Sequence, residues 1–176
     1  MFLGAKSFNQ ALTNWDVSNV TNMHGMFLGA VSFDQPINDW DVNNVINLSH
    51  MFSGAVSFDQ PLNDWDVSNV IDMRHMFSGA TSFNQPLDQW DTRNLEYITS
   101  FLNGASSFNQ NLSSFKLYKI SSSTNFLSET NIENKYYSEM LVNWASDDST
   151  IVFIELDIPS SFNQDAIEAR QRLIDD

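Results

Sequence analysis

The chain has 176 residues, 42% of them hydrophobic, with a formal net charge of −14 and no cysteine. That hydrophobic content, with 14 Phe, excludes a disordered chain despite the charge. The acidity argues against nucleic acid or an anionic membrane surface as a partner, and the eight Lys and Arg form no basic run. Without cysteine there is neither disulfide nor thiolate metal site, and no apolar run approaches the ~18–20 residues that span a bilayer. Met1-Phe2 already stands where Met26-Phe27 stands one unit later, so no secretory signal peptide is expected within these residues, and the expectation is an intracellular chain or, preferred here, a piece of a longer exported protein.

From that first Met-Phe pair the sequence repeats. Residues 26–50 return almost unchanged as 51–75 and 76–100, with Met-Phe pairs at Met26-Phe27, Met51-Phe52 and Met76-Phe77 fixing a step of 25. The same step aligns Trp15, Trp40, Trp65 and Trp90, and Gly4, Gly29, Gly54, Gly79 and Gly104. A fixed period of this length signals units that cannot bury their apolar sides alone and stack on copies of themselves. Five repeats fill residues 1–125, the fifth decaying where Phe115 replaces Trp and Ser123 replaces Met.

Within a repeat, Val45, Leu48, Phe52 and Ala55 are spaced 3, 4 and 3, the spacing of one helical face. Ser18 and Ser68 stand as N-caps, and Gly29, Gly54 and Gly79 as C-terminal stops. The pattern predicts a helix of about ten residues per unit, as from Ser68 to Ser78. Gln60-Pro61-Leu62-Asn63 reads as a short strand, with Leu62 inward. The expected fold is therefore an α/β repeat solenoid, a leucine-rich-repeat-like stack of short parallel strands and helices. From Phe126 the repeat is lost, and residues 126–176 read as a C-terminal α/β capping region. It holds a helix opened by Ser128-Glu129-Thr130 and carrying Ile132, Tyr136, Met140, Leu141 and Trp144 on one face. A β-prone run at 150–155 and a closing helix at 163–175 follow.

Three segments carry a recognisable signature: SFNQPL at 82–87, WDVSNV at 65–70 and M-x-x-MFxGA at 73–80. They resemble the BspA-like leucine-rich-repeat surface proteins of bacteria and some protists. YYSEMLVNWA at 136–145 and ARQRLID at 169–175 are similar to the segments that follow the repeats in that family. The resemblance implies a secreted or cell-surface module for adhesion and protein binding, with export or anchoring supplied elsewhere. The expected localisation, extracellular or cell surface, rests on it alone.

Stacking turns each polar position into a column. Gln10, Gln35, Gln60, Gln85 and Gln110 are expected to bond to their own copies above and below. Asp16, Asp41, Asp66 and Asp91 read as helix caps, with calcium as the weaker alternative because the repeat offers few further oxygen ligands. His24, His50 and His75 read as solvated surface histidines, and the Met stripe (Met23, Met26, Met51, Met73, Met76) as packing. No catalytic motif is present, and a carboxylate pair repeated four times is not a catalytic pair.

The expected function is thus non-enzymatic recognition or adhesion, with no cofactor. The partner is a protein or glycan on another cell or matrix, bound without nucleic acid or membrane insertion. The expected contact strip is the sheet face carrying Asn38, Asn63 and Asp88, flanked by Asp39 and Asp64. The alternatives are a structural spacer in a larger surface fibre and a calcium-stabilised stack.

Overall fold

The structure, a computed structural model, describes residues 1–146. Its 25-residue units lie one on another, and the inward side chains form continuous columns. Phe27, Phe52 and Phe77 stack at ring-centroid separations of 5.6 and 5.5 Å. Phe33, Phe58, Phe83 and Phe108 form a second column at 5.9 to 6.1 Å. Within a layer the columns touch, as Phe52 meets Phe58 at 4.0 Å. All of these rings are fully buried, and removing a side chain of this size from water stabilises by about 1.5–3 kcal/mol. Met51, Met73 and Met76 fill the spaces between them, buried as packing requires. In the fifth layer Phe101-Leu102 stands where Met76-Phe77 stands below, so Phe101 meets Phe77 edge-on, at 82°.

The secondary structure departs from the α/β solenoid that the spacing predicts. Among the described residues there is one helix, α1 (Asn134–Ser146), and no strand; the parallel ladder is a column of isolated bridges linking Asn22, Asn47, Asp72, Tyr97 and Ser122. The predicted helix from Ser68 to Ser78 is instead a chain of tight turns.

Hydrogen bonding explains why. The N–H groups of Leu48, His50, Phe52 and Gly54 donate to the carbonyls of Asp72, Arg74, Met76 and Ser78 in the next layer, at 2.7–2.9 Å. The alternate N–H groups of Met51, Ser53 and Ala55 close turns on Leu48, His50 and Phe52 in their own layer. Every second peptide is thus claimed by a neighbouring layer, whereas a helix sends each N–H along its own axis. Left-handed residues prevent any right-handed run: His50 at φ 57° and Gly54 at φ 68° recur one layer on as His75 at 56° and Gly79 at 71°. A chain of three-residue turns places side chains inward at the same 3–4 spacing as a helix, so Val45, Leu48, Phe52 and Ala55 are all buried. The sequence period was met by a different backbone.

The register also persists beyond Phe126. Leu102 donates to Phe126 O and Gly104 to Ser128 O, and Phe126 stacks on Phe101 at 5.9 Å. Glu129 takes the left-handed position of the missing sixth glycine, at φ 59°, so the expected helix start at Ser128-Glu129-Thr130 is a turn. Helix α1 begins four residues later and turns Tyr137, Met140, Leu141 and Trp144 onto the last layer, with Trp144 6.2 Å from Phe126. The β-prone run at 150–155 and the closing helix at 163–175 lie outside the described residues. No described helix is long and apolar enough to cross a membrane.

Candidate functional site

Each layer makes a tight turn just before its tryptophan. Trp40 N–H donates to Ile37 O, Trp65 N–H to Leu62 O and Trp90 N–H to Leu87 O. The two central residues of these turns are Asn38-Asp39, Asn63-Asp64 and Asp88-Gln89. Apolar residues on either side (Ile37 and Trp40, Leu62 and Trp65) are buried, so the central pair is pushed outward.

The five residues singled out from sequence therefore do come together, though on a ridge of turns rather than on the face of a sheet. Asn38 Nδ2 donates to Asp64 Oδ2 at 2.7 Å, and Asn63 Nδ2 to Asp88 Oδ1 at 2.9 Å. Asn63 Oδ1 in turn accepts from the Gln89 main chain at 3.1 Å. The amides are thus half-buried ties between layers, while Asp39, Asp64 and Asp88 are exposed. Asn38 Oδ1 is buried and has no hydrogen-bond partner.

Beside the ridge runs an open groove lined by Asn63, Asp64, Trp65, Asp66, Gln89 and Asp91. Two of its acids, Asp66 and Asp91, belong to the column read as helix caps. With no helix to cap, they cap turns: Asp16, Asp41, Asp66 and Asp91 each accept the main-chain N–H two residues on, at 3.0–3.2 Å. The hydroxyl and main-chain N–H of Ser18 hold the Asp16 carboxyl below its usual pKa. In the fourth layer an arginine replaces that serine. Arg93 grips Asp91 with Nε at 2.9 Å and Nη2 at 2.6 Å, lowering the Asp91 pKa and raising its own. Among the described residues no three carboxylate or imidazole groups converge so as to hold a metal ion.

The glutamine column works differently from the self-pairing expected of it. Gln35, Gln60, Gln85 and Gln110 donate to the Asx residue of the preceding layer: Asn9, Asp34, Asp59 and Asn84, at 2.8–3.1 Å. The same oxygen also accepts the main-chain N–H of the next Asx residue, as Asp34 does from Asp59 at 3.0 Å. The signal was legible in the alternation of SFNQ and SFDQ, since Asn and Asp share only an acceptor oxygen there. The histidines are also less solvated than expected. His50 and His75 are half-buried and stack at 4.5 Å, and His24 Nδ1 lies 2.7 Å from Ser49 Oγ.

A family model described as a Mycoplasma protein of unknown function, DUF285, matches residues 1–73 and again 37–144. The chain belongs to this family. The two DUF285 matches overlap over 37–73, as a unit repeated in sequence allows. No curated protein and no solved structure matches the chain. The DUF285 description names no activity, so the reading of function starts from the ridge and its groove.

Proposed function

We propose that this DUF285 chain is a non-enzymatic recognition module, of the secreted or cell-surface BspA-like kind, that binds a basic segment of a partner protein along its ridge of acidic turns. One observation carries the reading. Asp91 is gripped by the chain's own arginine, whereas the equivalent Asp66 has only the N–H of Ser68 and faces the groove beside Asp64. An incoming arginine or lysine would do at Asp66 what Arg93 does at Asp91, with the Asn38 amide and the Ser68 N–H already holding the Asp64 and Asp66 carboxylates in place. The net charge of −14 favours the encounter.

The test is binding of an arginine-rich peptide to the immobilised chain at low and physiological salt. Asp64→Asn with Asp66→Asn should weaken it by roughly tenfold, about 1.4 kcal/mol, and salt should weaken it further. Binding indifferent to both changes would remove the ridge as the contact. A rigid spacer, the competing reading, is favoured by the density of interlayer bonds, and it predicts no saturable binding to this ridge by any peptide.

A further inference from the structure

A second groove, of about 390 Å³, crosses the layers elsewhere on the surface, and the proposed ridge does not involve it. Two columns form its walls. One is aliphatic: Ile46 and Ile71 are 48% and 36% exposed, although they sit beside the fully packed Val45 and Val70. The other is a row of amides. Asn44, Asn69 and Asn94 each donate Nδ2 to a carbonyl of the preceding layer (Ser18, Asn43 and Ser68) at 2.7–2.8 Å. That bond fixes the amide and leaves Oδ1 as the outstanding acceptor. At Asn94 the acceptor is filled by the chain's own Lys119, whose Nζ donates at 2.7 Å. Asn44 and Asn69 Oδ1 accept nothing from the described residues.

We infer that this groove binds a linear neutral glycan lying along the stack, with hydroxyl donors on the amide oxygens and a C–H face on Ile46 and Ile71. Three observations choose this occupant. The main-chain donors of the aliphatic wall are taken: Ile46, Ile71 and Glu96 N–H all donate to the preceding layer at 2.9 Å, so a peptide finds no free N–H on that column to pair with as an extra strand. The groove is close to neutral, its Glu96 and Lys119 balancing each other, so a basic peptide is better served by the acidic ridge. Finally, an open acceptor and an aliphatic group recur together in two successive layers, Asn44 with Ile46 and Asn69 with Ile71, at the ~4.8 Å spacing of hydrogen-bonded neighbouring chains. That step is close to the length of one pyranose unit in an extended 1,4-linked chain.

Calorimetric titration of the whole chain with cellohexaose, glucose and hexalysine tests the assignment. Cellohexaose should bind saturably and glucose about tenfold more weakly, because it spans one layer and not two. Ile71→Ser and Asn69→Ala, both at exposed positions, should each weaken cellohexaose by about tenfold, with Asp66→Asn leaving it unchanged. Tryptophan fluorescence confirms that the variants stay folded. The assignment is overturned by absent binding at millimolar cellohexaose, by equal affinity for the two sugars, or by binding that ignores both groove variants. Hexalysine bound in a manner sensitive to Ile71→Ser and Asn69→Ala, or self-association abolished by Ile71→Ser, would equally overturn it.

Discussion

The indole Nε1–H of Trp65 donates to the carbonyl oxygen of Ile37, 28 residues back, at 3.1 Å, and that same oxygen accepts the main-chain N–H of Trp40. Trp40 reaches Leu12 and Trp90 reaches Leu62 in the same way, at 3.3 and 2.9 Å. Each tryptophan therefore fills the core of its own layer and fastens the turn of the layer before it. The acidic ridge stands on those turns, so its spacing is inherited from the tryptophan column.

Trp65→Phe keeps most of the ring and removes this bond. Urea unfolding should show a loss of about 1 kcal/mol, the net worth of one hydrogen bond, whereas Trp65→Ala should cost about 3–5 kcal/mol by opening a cavity. Equal losses in the two variants would mean that the indole N–H contributes nothing.

The Asx column makes a sharper distinction. Asp34 Oδ1 accepts from Asp59 N–H and from Gln60 Nε2. Asp34→Ala should destabilise by about 1–3 kcal/mol, because both donors lose their acceptor. Asp34→Asn keeps the oxygen, as Asn9 and Asn84 do at equivalent positions, and should stay within about 0.5 kcal/mol of the parent. Denaturation midpoints of the two variants measure the difference. A large loss in the Asn variant would show that charge, and not the acceptor, is what matters there.

Acid should weaken the stack through its histidines. Burial first holds both His50 and His75 below the ordinary imidazole value of 6.5; the charges of His75, His24 and Arg74 add to it at His50 and that of Arg74 at His75, outweighing the opposing pull of Asp72. At mildly acid pH the unfolded chain then binds more protons than the folded one, so stability rises with pH. The contribution is complete above 6.5 and is lost as pH falls through the lowered folded values. Urea midpoints should drop between pH 7.5 and 5. His50→Asn with His75→Asn should flatten that slope, since asparagine already holds the equivalent left-handed position at Asn125. An unchanged slope would assign it to other groups. A separate loss at lower pH belongs to the carboxyls of Asp16, Asp91 and Glu133, all held low by hydrogen bonds.

The ridge of the candidate site could be grouped from sequence, though not its setting, whereas Asp66 and Asp91 of the groove beside it read only as caps. Asn38, Asp39, Asn63, Asp64 and Asp88 could be grouped because a 25-residue step puts equivalent positions side by side whatever the backbone does between them. Their place on turns, and the diversion of the Asn38 and Asn63 amides into interlayer ties, needed coordinates. The arginine that grips Asp91 was visible as a letter, but its grip was not.

By itself the sequence determined the step of the stack, the columns of Phe, Trp and Met that face inward, and the polar residues that stay outside. Those follow from burying the same side chains at the same interval. Only the tertiary structure decided that the interval is spanned by turns and single bridges instead of a helix and a strand. The reason is that half the peptide groups in the segment from Leu48 to Gly54 bond to the neighbouring layer, a choice made between units. Apolar spacing within one unit cannot register a hydrogen bond whose partner lies 24 residues away.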